Sequence, residues 1–195
     1  FTHLGNAHLE NFSSGEELVS EKVKLFVNCQ LVVYCKDFEP VHKALSEISY
    51  SGNPRFFRWS AMEEADMQII STKRSNQTTV IEALYCGEVI TLVIPFTDGA
   101  HIENAIHCWA YLLATGMKPG SFDHLFLHLS TLSMRLEIKK GNNGCAIIDD
   151  SYNSDTASLI NALDFLVQQK DAQKLKSTLI LSDILQSGVN PEILY

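Results

Sequence analysis

Apolar residues recur along the chain with two different periods, and the changes of period mark its elements. Between residues 16 and 28, Leu18, Val23, Leu25, Phe26 and Val27 stand among charged residues after a Ser13-Ser14-Gly15 turn signal, which predicts a helix. The apolar run 30–35 predicts a short strand. Asp37 is placed to cap a helix through about residue 48, and Pro40 in its first turn is tolerated because that N–H would lack a helical partner anyway. The helix ends before Ser51-Gly52-Asn53-Pro54.

From 55 to 95 the pattern turns to strands. Residues 56–59, 67–71, 78–84 and 88–94 are rich in β-branched or aromatic side chains, and Cys86-Gly87 between the last two predicts a hairpin turn. Ile102, Ile106, Trp109 and Leu113 then recur at helical spacing, predicting one buried stripe that stops near Gly116. After Lys118-Pro119-Gly120, residues 122–132 predict a further helix with Phe126 and Leu129 inward. Residues 134–138, the Gly141-Asn142-Asn143-Gly144 turn and the apolar run 145–148 open a new unit. Leu159, Leu163 and Leu166 predict a helix capped by Ser154, Asp155 or Thr156, and 177–181 a second buried strand. Strand, loop, helix and strand in that order form a βαβ unit with a parallel sheet. Two strands cannot bury two faces, so the rest of that domain is expected beyond Tyr195. The absence of an initiator Met before Phe1 predicts chain upstream as well.

Composition narrows the class. The 46% apolar and 19% charged content of the 195 residues is that of a globular protein with a real core. A formal charge of -8 with scattered Lys and Arg gives no basic stripe for a phosphate backbone, so nucleic acid is not an expected partner. Five cysteines without a C-x-x-C pair favour reduced thiols, and hence the cytoplasm. No apolar run reaches the roughly 18 residues of a membrane span.

The polar run Asp149-Asp150-Ser151-Tyr152-Asn153-Ser154 follows a predicted strand, and open α/β sheets bind ligands at the carboxyl ends of their strands. Asp149 and Asp150 could hold a ribose or a metal; helix capping and loop hydrogen bonding explain the same residues equally well. His3, His8 and Glu10 offer imidazole and carboxylate to a cation, in a spacing that matches no zinc signature. His124 and His128 lie one helical turn apart, but without the Glu of H-E-x-x-H a solvated helix face is the better reading. His101 and Asn104 open the Trp109 helix, where they could meet a ligand or serve as ordinary first-turn polar residues. No G-x-x-x-x-G-K-[ST] phosphate cradle occurs.

In order, these segments resemble the Mur ligase family. Ala7-His8-Leu9-Glu10 with Phe12 and Ser13-Ser14 is similar to its A-H-L-E-x-F-x-S segment, and the helix carrying Lys22 to the one that follows. Ile102-Glu103-Asn104-Ala105 resembles the N-I-x-N-A helix start, Arg135 the Arg at the domain junction, and Ile148-Asp149-Asp150-Ser151-Tyr152-Asn153 the I-D-D-S-Y-N motif of the branch that adds D-alanyl-D-alanine. The resemblance covers nearly the whole chain. It implies an α/β fold: residues 1–133 as the second half of a central ATPase domain, and 134–195 as the opening of a Rossmann-like C-terminal domain, with the phosphate cradle upstream.

The resemblance further implies ATP and Mg2+ as cofactors, and UDP-N-acetylmuramoyl-tripeptide and D-alanyl-D-alanine as substrates. His8 would ligate magnesium, and Lys22 would do so as a carbamate, since an unmodified ammonium repels the ion. Asn104 and His101 would meet the adenine, Asp150 the ribose and Arg135 the phosphates. The opposing reading is a non-catalytic nucleotide-binding or scaffold module of ligase-like fold. His3, His101 and Asp155 stand where the family has Asn, and 182–188 matches its G-D-M-x-E-L-G segment loosely. These departures resemble the branch fused to an alanine racemase, although no racemase residue is present here.

Overall fold

The computed structural model describes residues 1–2, 12, 14–75, 77–152, 156–173 and 176–184. His3, His8, Glu10, Asn153, Ser154, Asp155 and the 185–188 segment lie outside the described residues. The chain divides into two compact units, one holding Ser14–Leu129 with Phe1 and Thr2, the other running from Ser130 onward. The division falls a few residues before the boundary the sequence suggests.

The first unit is built on a five-stranded sheet of order β1-β2-β3-β4-β5. Helix α1 (Gly15–Val23) begins where the Ser14 hydroxyl accepts the N–H of Glu17, and gives way to a 3-10 turn at Lys24–Phe26. Strand β1 (Leu31–Cys35) follows, then α2 (Glu39–Glu47) and β2 (Arg55–Ser60), which pairs parallel with β1 from Leu31↔Arg55 to Cys35↔Trp59. Alternation along β1 sends Val32 and Tyr34 into a cluster with Val19, Val23, Val41 and Leu45 of the two helices. Leu31, Val33 and Cys35 pack into the larger core on the opposite side. A strand covered on both faces reads as a continuous apolar run, as 30–35 does.

Strand β3 (Met67–Arg74) joins the end of β2 in parallel through Trp59↔Met67 and Ser60↔Gln68. It then runs antiparallel to β4 (Thr79–Tyr85), which turns into β5 (Glu88–Ile94). The connecting pair Cys86 and Gly87 have φ of 52° and 82°, left-handed at both central positions as a type I′ hairpin requires. A register shift between Ile69 and Ser71 leaves Ile70 as the extra residue of a bulge. Met67 and Ile69 therefore face the core, while Ser71 turns outward and its hydroxyl donates to the Glu82 carboxylate at 2.5 Å. Ile81, Ala83, Ile90, Leu92 and Ile94 complete the inner face, covered by the stripe Ile102, Ala105, Ile106, Trp109, Ala110 and Leu113 of α3 (Gly99–Ala114). Helix α3 closes at Gly116, whose φ is 89°.

Three local expectations change. Asp37 does not cap α2: the cap position is Phe38, and the Asp37 carboxylate instead accepts the hydroxyl of Ser60 and, at 2.7 Å, the N–H of Ala61 beyond β2. Residues 122–132 hold only the four-residue α4 (Asp123–Phe126). Phe122 and Phe126 are buried as a pair, but Leu125, Leu127 and Leu129 are exposed, because apolar residues at every second position surround a helix instead of striping it. His124 and His128 consequently do not share a helix face, and both are exposed.

In the second unit β6 (Glu137–Lys140) and β7 (Ala146–Asp149) form an antiparallel pair around a 3-10 turn at Asn142–Gly144. Helix α5 (Thr156–Gln173) follows and buries Phe165. The third expectation fails here: residues 177–181 form no strand, and Ile180 is 94% exposed. The parallel βαβ arrangement is thus not formed among the described residues. An apolar strand buried on both faces needs neighbours on both sides, which β6 and β7 alone do not offer.

Candidate functional site

The first turn of α3 carries a buried carboxylate paired with a histidine. Asp98, 4% exposed, caps the helix by accepting the N–H of His101 at 2.9 Å. Its two carboxylate oxygens also lie 2.9 and 2.8 Å from His101 Nδ1. Burial pushes the Asp98 carboxyl up, but its bonds to the His101 side chain and N–H outweigh this and leave it below the ordinary carboxylate value. The His101 ring stacks on Phe96 with centroids 4.4 Å apart and planes 23° from parallel. The Phe96 carbonyl in turn accepts the buried Thr79 hydroxyl at 2.5 Å. Three residues on, Asn104 is exposed, so the structure places His101 and Asn104 on adjacent turns of one helix face.

On another side of α3, His107 is buried against β2. The Trp59 indole N–H donates to His107 Nδ1 at 3.1 Å, and His107 Nε2 lies 3.7 Å from Glu103. Since Nδ1 is an acceptor, Nε2 carries the proton, and this imidazole is not a free metal ligand. Cys35 at the end of β1 is also inert, its thiol pushed up by burial to about 11.

Lys22 lies in the last turn of α1 with an exposed side chain, where a cation complements the helix dipole whatever else it does. Among the described residues no group of three His, Cys, Asp or Glu could hold a metal. An ammonium at Lys22 does not attract one, so the described residues do not by themselves fit a magnesium site.

In the second unit the structure brings Arg135, Asp150 and Tyr152 together. Arg135 lies between Met134 and Leu136, whose φ of 59° and 49° are left-handed. Asp150 Oδ1 accepts the N–H of Leu136 at 3.1 Å, Glu137 accepts that of Met134 at 3.1 Å, and the Tyr152 N–H donates to the Met134 carbonyl at 3.2 Å. The Arg135 guanidinium sits 4.7 Å from the centre of the Tyr152 ring, a cation–π contact. Asp149 pairs with Lys139 at 2.6 Å and accepts the Ser151 hydroxyl at 2.7 Å, and these bonds hold its carboxyl below the usual range. Sequence reading singled out His101 but missed Asp98, although Asp three residues before a helical residue is itself a capping signal. It likewise missed the aromatic support of Arg135, a contact across 17 positions that no local pattern encodes.

This fold, with parallel strands feeding an antiparallel hairpin sheet under α3 and followed by a second α/β unit, is shared with solved structures of Mur ligases. It matches the structure of a MurF ligase from Thermotoga maritima in complex with ADP, with a TM-score of 0.66 and 18% identity, over 84% of this chain and 37% of that one. In sequence the chain is similar to the UDP-N-acetylmuramoyl-tripeptide–D-alanyl-D-alanine ligase of Bacillus subtilis (strain 168), 24% identical over 190 residues, 96% of this chain and 39% of the relative. It is also similar to the UDP-N-acetylmuramate–L-alanine ligase of Endomicrobium trichonymphae, 25% identical over 169 residues, 83% of this chain and 36% of the relative. The chain thus spans less than two fifths of the length of these relatives. No protein-family model matches it.

Proposed function

We propose that the chain is the nucleotide-facing part of a cytoplasmic ATP-dependent ligase that joins D-alanyl-D-alanine to UDP-N-acetylmuramoyl-tripeptide in peptidoglycan synthesis. The observation that carries this reading is the similarity to the Bacillus subtilis ligase across 96% of the chain. The Ile148–Asn153 motif, in which Asp150 and Tyr152 support Arg135, favours the D-alanyl-D-alanine branch. A second reading, a ligase adding L-alanine to UDP-N-acetylmuramate, is favoured by the comparable identity to the Endomicrobium relative.

In the proposed reaction a carboxylate oxygen of the tripeptide attacks the γ-phosphorus of ATP and ADP leaves, giving an acyl phosphate. The dipeptide amine then attacks the acyl carbon, phosphate departs with the C–O electron pair, and the amine loses a proton. Such transfers depend on positioning and on charge opposite the moving phosphoryl group. Arg135 would supply part of that charge, Asn104 and His101 would meet the base, and Asp150 the ribose. Magnesium, when bound, would neutralise phosphate charge; the His8 and Lys22 reading requires Lys22 as a carbamate.

The test is ADP release by the full-length protein given Mg2+, ATP and each substrate pair. Release that requires UDP-N-acetylmuramoyl-tripeptide together with D-alanyl-D-alanine, and that falls at least about 100-fold in Lys22→Ala, is the expected result. Release supported instead by UDP-N-acetylmuramate and L-alanine selects the second reading, and no release with either pair overturns both.

A further inference from the structure

We propose that Asn143, at the tip of the β6–β7 hairpin, is a self-modifying site that converts to aspartate and isoaspartate whenever the hairpin opens. Asn143 is exposed and is followed by Gly144, whose missing side chain leaves its nitrogen unhindered as a nucleophile. In the reaction that nitrogen gives up its proton and attacks the Asn143 Cγ. The bond from Cγ to the side-chain nitrogen breaks, ammonia leaves with the proton, and a five-membered imide closes. Water then opens the imide at either carbonyl. One opening gives aspartate and the other isoaspartate, in which the main chain runs through Cβ.

The folded turn holds this chemistry off. Asn143 has φ 59° and ψ 28° and Gly144 has φ 76°, both left-handed. At that ψ the Gly144 nitrogen is turned away from the Asn143 side chain, so the imide cannot close until the turn gives way. Little keeps it from doing so. Each strand has four residues, and Ile138 and Ile147, which stand on opposite faces of the pair, are 51% and 48% exposed. Two short strands without a buried face open readily. Lys139 clasps the pair through Asp149 at 2.6 Å. Aspartate tolerates a left-handed turn as asparagine does. Isoaspartate does not fit it, because its extra main-chain atom shifts the pairing of Lys140 with Ala146 and, further along, of Glu137 with Asp149. The next residue, Asp150, holds the Leu136 N–H at 3.1 Å, so the modification reaches the loop that carries Arg135.

The experiment incubates the full-length protein at mildly alkaline pH and follows the tryptic peptide that begins at Gly141 by mass spectrometry, with fragmentation to place the change and enzymatic methylation to count isoaspartate. Asn143 is expected to deamidate before Asn153 and Asn161. Protein unfolded in urea is expected to react at least about tenfold faster, because opening no longer limits the rate. Lys139→Ala, which removes the clasp to Asp149, is expected to speed the reaction of the folded protein about two- to fivefold. In Asn143→Gln the ring would need six members, and position 143 is expected to stay unmodified. An unmodified Asn143 in both folded and unfolded protein overturns the site. Equal rates in the two, or no response to Lys139→Ala, overturn its control by the hairpin. None of these readouts uses turnover, so they hold whether or not the ligase reading does.

Discussion

Removing the Asp37 carboxylate separates two roles that look alike in the sequence. If Asp37 capped α2, Asp37→Ala would cost about 0.5–2 kcal/mol through the helix alone. The structure instead gives the carboxylate to Ser60, whose side chain is fully buried, and to the exposed N–H of Ala61. Ser60 Oγ in turn accepts the N–H groups of Met62 and Glu63 at 3.0 and 2.8 Å, fixing the turn that carries the chain from β2 to β3. Water can replace the lost partner of Ala61, but not that of the Ser60 hydroxyl, and a buried donor left unmade costs about 1–3 kcal/mol. The two magnitudes overlap, so the single variant does not decide, and a cycle with Ser60→Ala does. Coupling through Ser60 predicts an interaction energy of about 1 kcal/mol or more, whereas capping of α2 predicts additivity within about 0.5 kcal/mol. Both tryptophans, Trp59 and Trp109, are buried in the first unit, so indole fluorescence during urea unfolding reports that unit alone. Additive losses would refute the network and return Asp37 to the helix.

The facing of the sheet is tested by Leu92→Ala against Val89→Ala, both on β5. The first, fully buried, should cost about 2–5 kcal/mol and the second, 62% exposed, about 0.5 kcal/mol or less, read from urea midpoints. Acid stability should depend on Asp98, whose carboxyl lies below its ordinary value in the fold. Its contribution is complete above the unfolded value of roughly 4 and is lost as pH falls through the folded one, so Asp98→Asn should flatten the stability slope below about pH 4. A slope equal to that of wild type would remove Asp98 from the acid transition.

Where local chemistry and burial agree, the chain is legible without its structure. Cys86-Gly87 between two alternating runs gives the β4–β5 hairpin, and the Ile102, Ile106, Trp109 and Leu113 spacing gives α3, because in each the residues that set the period are those the core buries. Asp37 misleads because a carboxylate before a helix can cap it or reach elsewhere, and its partner lies 23 positions away. Residues 177–181 mislead for the opposite reason: the run is apolar enough for a buried strand, but a strand needs neighbours, and pattern alone does not supply them. His101 was visible as a residue type at a helix start. What orients it, the carboxylate of Asp98 and the ring of Phe96, emerges only when the chain between β5 and α3 is folded.

The second unit shows why the Ile148–Asn153 motif and Arg135 belong to one argument. Two left-handed residues without glycine, Met134 and Leu136, flank Arg135, and such backbone costs on the order of 1–3 kcal/mol at each position unless its surroundings hold it. The holding groups are Asp150 on the Leu136 N–H, Glu137 on the Met134 N–H and the Tyr152 N–H on the Met134 carbonyl, while the Tyr152 ring lies against the guanidinium itself. Two of the three residues that brace the loop therefore come from the motif. A change at Asp150 acts on Arg135 through the backbone whether or not Asp150 touches a ribose, so loss of activity in an Asp150 variant would not identify a ligand contact. Tyr152→Phe keeps the ring and the backbone bond, so any effect it has would have to arise at the hydroxyl, and Tyr152→Leu removes the cation–π contact while leaving Asp150 in place.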